Sequence, residues 1–525
     1  MIILGIGGLS GDAASAVLKD GELVAAVEES KLVRRATQWG GHGELPQASI
    51  STCLELAGAK AQDVDAVAIV RPVPHSDFAL KLRTEFPNSR VLVVDHHLAH
   101  ASSAYFTSPF DEATVLTLDR GGDFLCGSRW SARGTQLSLE YEQYPADSLG
   151  DLFGRVTELL GFAANADEHK VQWLSVSGDE RFRDLFLDVL GLSDAGPRID
   201  RSYFGTERLS NGGFSARFYE ALGLKDGAPI PEDLRAHVAA GIQRAIEVAA
   251  IRMAGSGTNL CLAGGLGLNA LLVSALENSS QFKNVFVQPA SGNAGTAIGA
   301  VLEAWHMAYR QEKRVTLSTL CLGPSFGSAD VKQVLENCKL RFRYMITGTE
   351  VIDTAIGQLN ESKIVAWMHG RMEFGARALG NRSILASPLD AYSTENLNTF
   401  IKHREPYRKF AASVPAELCS EYFEVGANAR FLSTVGRVKP AHRERFAAAI
   451  LADNQIRVHS VDRAENPLYW DLLHAAGKST GLPVLYNTSF NLFGEPLVCT
   501  PRDAVRSFYS SGIDAMFVGN FFLQK

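Results

Sequence analysis

The seven cysteines are scattered along 525 residues, and no two are spaced as CxxC. That excludes a disulfide scaffold and a zinc ribbon and fits a reducing cytoplasm. No apolar run approaches the ~18 residues of a membrane span. The opening Ile2-Ile3-Leu4 reads as a strand with neither a basic n-region nor a cleavage site, so export is not expected. A basic excess is also missing: 51 Lys and Arg against 58 Asp and Glu leave a formal net charge of −7. A constitutive nucleic-acid binder is therefore excluded. Low-complexity tracts and short-period repeats are absent. So are the Rossmann GxGxxG and P-loop GxxxxGK[ST] signatures at the glycine-rich turns, and the GxSxG nucleophile elbow.

What is present is a chain 46% hydrophobic and 21% charged, which rules out wholesale disorder and suits two to four domains. Ile2 to Gly5 leads through a glycine-rich loop ending in Asp12 to Ala16-Val17-Leu18. An Asp20-Gly21 turn, a strong hairpin signal, then leads to Leu23–Val27. About a hundred residues later the pattern returns. Val115–Leu118 is followed by Asp119-Arg120-Gly121-Gly122, a strand from Phe124, a turn at Arg133-Gly134 and a third strand from Gln136. Two lobes that each begin with a hairpin tipped by glycines and an acid are the habit of actin-like, sugar-kinase-like folds. Two more glycine-rich turns, Gly264–Asn269 and Ser291–Gly295, follow strands and open helices at Ala270 and Thr296. From Cys321 the texture changes to a connector with a short helix, and a new segment begins near residue 346.

Three strings carry chemistry. After the strand Val91–Val94, Asp95 is a natural N-cap, and a helix beginning there puts His96 and His100 at i and i+4 on one face, suited to a single divalent ion. Asp119 would add a hard carboxylate, a ligand set that suits iron, zinc or manganese. The second string runs from Gly370 to Ser383. It interleaves Arg371, Arg377 and Arg382, with Asn381 and Ser383, among glycines and apolar residues. Arginines held in a partly buried segment match phosphate oxygens. Lys402, Arg404 and Arg408 extend this basic group. The third string, Asn487-Thr488-Ser489-Phe490-Asn491, ends a strand with side chains that orient a polar ligand.

Together these strings resemble the NodU/CmcH/TobZ family of O-carbamoyltransferases along essentially the whole chain. The most specific are His96–Ala101, Arg371–Gly375, Arg377–Ser383, Lys402–Pro406 and Asn487–Asn491. The resemblance implies an α/β protein, in part α+β. Residues 1–320 would form an actin-like, two-lobed (ASKHA) domain, 321–345 a connector, and 346–525 a YrdC-like α/β domain. In such proteins the YrdC-like domain makes carbamoyl adenylate from carbamoyl phosphate and ATP with Mg2+. The metal-bearing domain then passes the carbamoyl group to a hydroxyl of a small metabolite. Carried over by motif, Arg377, Lys402, Arg408, Arg457, Asn487 and Ser489 would hold ATP and carbamoyl phosphate, with Arg377 and Lys402 in catalytic roles. His96, His100 and Asp119 would bind the metal, Fe2+ by family precedent. No nucleic acid or membrane partner is implied, and a homodimer is the assembly considered.

The sequence departs from the family mainly in the transfer half. Asn293 stands where the family usually has an aspartate metal ligand; its amide oxygen still coordinates, with less charge. Asp12 stands where the first loop usually carries His-Asp, so it would have to replace a histidine base. Ala36 replaces a usual lysine, and Gln172-Trp173 a usual Met-Gly. The adenylating half looks intact. The alternative is a carbamoyl-adenylate synthase whose transfer domain is degenerate or depends on a partner.

Overall fold

A computed structural model of the chain describes residues 1–35, 44–71, 77–193, 196–205 and 210–525. Among these, no helix is long and apolar enough to cross a membrane. The chain divides into two compact units, Met1–Val94 with Asn293–Lys525, and Asp95–Gly292.

In the first unit, β1 (Ile2–Gly7), β2 (Ala14–Lys19), β3 (Glu22–Glu28), β4 (Ala66–Val70) and β5 (Arg90–Val94) form a sheet in the order β3-β2-β1-β4-β5. The first three strands run antiparallel, and β4 and β5 are parallel to β1. Strands β1 and β4 are buried almost end to end, which is why Ile2–Ile6 and Ala66–Val70 read as unbroken apolar runs.

The second unit repeats the plan. Strands β6 (Glu112–Gly122), β7 (Leu125–Arg133), β8 (Gln136–Gln143), β9 (Gly257–Ala263) and β10 (Phe282–Val287) stand in the order β10-β9-β6-β7-β8. Here too a meander comes first, followed by two parallel crossover strands. A duplicated mixed sheet with this order and polarity is the actin-like fold, as the paired hairpins of the sequence lead one to expect. Helices begin at Ala270 and Thr296, directly after the two later glycine-rich turns.

The rest of the first unit is a ten-stranded mixed sheet. Its strands are β11 (Arg343–Tyr344), β12 (Val365–Met368), β13 (Arg382–Ala386), β14 (Ala411–Pro415), β15 (Phe423–Glu424), β16 (Val435–Val438), β17 (Gln455–Val461), β18 (Leu485–Ser489), β19 (Ala515–Val518) and β20 (Phe521–Gln524). Their order is β11-β20-β19-β12-β13-β18-β14-β17-β16-β15. Alternation along the strands feeds two cores. Ile384, Val414 and Tyr486 pack on one face, and Leu385, Leu485 and Trp367 pack with the helix Pro467–Thr480 on the other. The stretch read as a connector contributes the helix Ser328–Asn337 and the edge strand β11, so it belongs structurally to this sheet.

Two histidines buried in this C-terminal sheet region make the fold sensitive to acid. His369 stacks on Trp367 with ring centroids 4.1 Å apart, and His459 Nδ1 lies 3.0 Å from Ser413 Oγ. Burial lowers both to about 3. Between that value and 6.5 only the unfolded chain is protonated, so stability is complete above 6.5 and is lost as pH falls below it. Thermal melts from pH 7 to pH 5 are expected to show a steep fall in Tm, flattened in H369Q/H459N. An equally steep fall in the double variant would contradict this account.

Candidate functional site

The helix His96–Tyr105 is buried along nearly its whole length, and one face carries the rings of His96 and His100, 4.6 Å apart at their centroids. Asp95 takes the N-cap position as read, although its side chain makes no capping hydrogen bond. The free helix terminus is instead satisfied by Asp123 Oδ2, which accepts from the His96 N–H at 2.6 Å. Asp123 lies at the tip of the β6–β7 hairpin. There the pairing shifts register between Leu118 and Gly122, so residues 119–121 bulge out of the ladder. The bulge aims Asp119 at the histidines: its Oδ2 is 2.8 Å from His96 Nε2 and 3.2 Å from His100 Nε2. Gly122 is needed here for space, because a Cβ would lie 2.3 Å from the His96 ring.

The ligand atoms of His96, His100 and Asp119 all lie within 4.8 Å of one another, and all three residues are buried. Burial pushes the Asp119 carboxyl upward, but the hydrogen bonds and charges of His100 and His96 outweigh it and hold the group well below the usual carboxylate value. Burial pushes His100 below the ordinary histidine value, against the hydrogen bond and charge of Asp119, which pull it up. The chemistry of this donor set, two imidazole nitrogens and one ionised oxygen, fits a divalent transition metal. His97 points elsewhere, its Nδ1 2.7 Å from Thr117 Oγ1. Asn293 belongs to the first unit, where Gly11 lies against its amide. Asp12 occupies the same loop with a left-handed backbone, φ 62°. Gln172 and Trp173 are buried in the helix Glu168–Leu174, and Ala36 lies outside the described residues.

A second cluster lies on the C-terminal sheet. Register places Asn487, Ala411 and Arg457 in one row across β18, β14 and β17. Lys402 follows the single π-turn Leu397–Ile401, and Arg404 and Arg408 follow in the approach to β14. The Lys402 ammonium is buried, and the acceptors around it are all neutral: Ser489 O at 2.8 Å, Asn491 O at 2.9 Å, Asn491 Oδ1 at 2.6 Å and Ser489 Oγ at 3.5 Å. Burial, then the charges of Arg404 and Arg408, depress it well below the usual lysine value. Burial and Arg408 lower Arg404 to about 9, and burial lowers Arg377 to about 10. Arg457 is held down by burial and by the charges of Arg377, Arg404 and Arg408. Arg408 has Glu405 as a partner at 3.4 Å. Arg404 and Arg408 thus act on both Lys402 and Arg457, and Arg377 on Arg457, which makes a basic cluster on this sheet. Asn487 donates to Ala378 O at 3.1 Å and Ser413 Oγ at 3.3 Å, while its buried Oδ1 has no partner.

Four residues expected in the phosphate site have other work. Arg371 donates to the carbonyls of Val24, Leu322 and Gly323. Arg382 is fully buried and donates to the carbonyls of His369, Gly370, Asn381 and Pro324. Asn381 Nδ2 bonds Arg371 O and Cys321 Sγ, and Ser383 Oγ accepts from the Gly380 N–H. Carbonyls are the partners of these two guanidinium groups in the structure, whereas Arg377 acts on Arg457. Sequence reasoning missed the residue that organises it, Glu373. This carboxylate is fully buried, and its Oε1 accepts from the N–H groups of Leu379, Asn381 and Arg382. An acid inside a run of three arginines was the available signal.

Residues 76–302 match the carbamoyltransferase N-terminus family and residues 356–525 the carbamoyltransferase C-terminus family. The nodulation protein NolNO of Sinorhizobium fredii is 33% identical over 566 residues, covering 98% of this chain and 79% of that protein. The chain belongs to the NodU/CmcH-type carbamoyltransferase family. This carbamoyltransferase is also similar to the uncharacterized protein sll1178 of Synechocystis sp., 32% identical over 599 residues, covering 100% of this chain and 96% of that protein. A further relative is the 3'-hydroxymethylcephem-O-carbamoyltransferase of Amycolatopsis lactamdurans. It is 32% identical over 269 residues, 51% of this carbamoyltransferase and 49% of that one.

Proposed function

We propose that this carbamoyltransferase is ATP-dependent and works through carbamoyl adenylate. The observation that carries the reading is the basic cluster of Lys402, Arg377, Arg404, Arg408 and Arg457 on the C-terminal sheet, in which the hydrogen-bond acceptors of Lys402 are neutral. ATP with Mg2+ and carbamoyl phosphate are the anions that would neutralise it. Water releases phosphate from carbamoyl phosphate, and the resulting carbamate oxygen attacks the α-phosphorus of ATP and expels pyrophosphate. Both steps build negative charge on phosphoryl oxygens, and fixed cations stabilise such charge without reorganising. Asn487 and Ser489 line the same strand end and would orient the nucleotide. Residues 346–525, a YrdC-like domain in this reading, would carry out adenylation.

The acceptor hydroxyl then attacks the carbamoyl carbon, and AMP leaves. Residues 1–320 would carry out this transfer. His96, His100 and Asp119 would hold a divalent metal, Fe2+ by family precedent, which when bound polarises a carbonyl oxygen. The assignments of Asn293 to that metal and of Asp12 to the acceptor's proton rest on the resemblance alone. The acceptor class is a small hydroxylated metabolite. The intact His96, His100 and Asp119 set favours a working transfer domain over a bare adenylate synthase.

Purified protein with ATP and Mg2+ is expected to release pyrophosphate only when carbamoyl phosphate is added. Release independent of carbamoyl phosphate, or none from folded protein, would overturn the reading.

A further inference from the structure

The loop that carries Arg377 is gripped from outside its own sheet. Lys31 lies in the short helix Glu29–Val33 that follows β3, and its ammonium donates to Glu373 O and Gly375 O, both at 2.9 Å. Glu28, the last residue of β3, pairs with Lys31 at 2.8 Å and accepts the Gly375 N–H through Oε1 at 2.7 Å. The Gly375 peptide is thus held at both its N–H and its C=O by an ion pair whose two side chains are buried. Gly375 itself has φ +100°, a conformation that glycine adopts freely and an L side chain does not, so the turn is specific to glycine at this position. From inside, Glu373 ties down the three following N–H groups. Arg377 sits between the two sets of bonds, two residues beyond the gripped peptide. On its other side the grip meets the glycine-rich loop of the first sheet: Glu28 is in register with Ala14, and the Glu29 N–H donates to Ala13 O at 2.9 Å.

We propose that Glu28 and Lys31 are positioning residues for the anion pocket. They hold the Gly375 peptide and, through it, set Arg377 at the geometry a phosphate requires. The inference rests on the reading of Arg377 as a phosphate ligand. Neither Glu28 nor Lys31 touches the donor, so their effect passes entirely through Arg377. A buried ion pair that also satisfies backbone groups is worth more as a geometric restraint than as net stability.

Hydrogen exchange on the full-length protein reads the restraint directly. Lys31→Met is expected to speed exchange of the Gly375, Leu379, Asn381 and Arg382 amides at least tenfold while leaving β17 and β18 at wild-type rates. Lys31→Arg is expected to restore protection. Glu28→Gln keeps an acceptor for the Gly375 N–H and should give a smaller change in the same peptide. Should K31M fold poorly, E28Q alone decides. Calorimetry with inorganic pyrophosphate supplies the second readout: K31M is expected to weaken binding about tenfold in the wild-type background and not at all in R377A. Unchanged exchange in residues 375–382, or losses from K31M and R377A that multiply, would overturn the proposal. Wild-type protein that fails to bind pyrophosphate would instead overturn the function proposed above, and the exchange data would still decide whether the grip exists.

Discussion

Replacing Lys402 by methionine is expected to abolish carbamoyl-phosphate-dependent pyrophosphate release, by about 10³-fold or more, and at the same time to raise the melting temperature of the ligand-free protein. The two effects have one cause. A buried ammonium ringed by carbonyls and an amide oxygen, with arginines near it, is in the proposed reading a charge that a bound anion would neutralise. Such a group destabilises the empty fold and becomes favourable when phosphate arrives. Its depressed titration gives a further check. Between that lowered value and the ordinary lysine value only the unfolded chain holds the proton, so the stability of the empty protein rises with pH across this window. K402M should flatten the rise. Differential scanning calorimetry with and without pyrophosphate separates the effects: wild type gains several degrees on adding the anion, and K402M starts higher and gains little. A variant that melts lower than wild type and still responds to pyrophosphate would show that Lys402 is a structural tie.

How far these sites were legible depends on the range of the interactions that make them. His96 and His100 could be read because helical spacing is local, and Asp119 because the second hairpin repeats the first. The duplicated sheets follow from the same recurrence, since meander and crossover strands leave distinct patterns of turns. Lys402, Arg404 and Arg408 were legible as a dense basic group, and the structure brings to them Arg377, from 25 residues before Lys402, and Arg457, from 49 residues after Arg408. Arg371 and Arg382 were read as phosphate ligands, and nothing in the string Arg371–Ser383 shows that their guanidinium groups face carbonyls of the protein. Those carbonyls include Val24, Leu322 and Pro324, residues distant in sequence. The grip of Glu28 and Lys31 on Gly375 spans more than three hundred residues and has no local signature.

Asp119→Asn is expected to remove the metal and carbamoyl transfer together while leaving pyrophosphate release within about twofold of wild type. One carboxylate oxygen serves both imidazoles, so losing its charge takes away the anionic member of a three-residue set and lowers affinity far more than loss of one neutral ligand. The basic cluster proposed for adenylation lies on the C-terminal sheet and includes none of these three residues, so adenylation should proceed without Asp119. Metal content after reconstitution with Fe2+, Zn2+ or Mn2+ is the primary measurement, with His100→Ala as a second variant. Radiolabelled carbamoyl phosphate presented with a panel of hydroxylated acceptors gives the transfer readout. Retention of metal and of transfer in D119N would remove His96, His100 and Asp119 from the mechanism. Loss of metal from D119N with pyrophosphate release intact in both proteins, and with wild type transferring to no acceptor, would favour the adenylate synthase reading. The neutral amide of Asn293, where an aspartate is usual, would then mark a transfer domain that binds metal without completing the reaction.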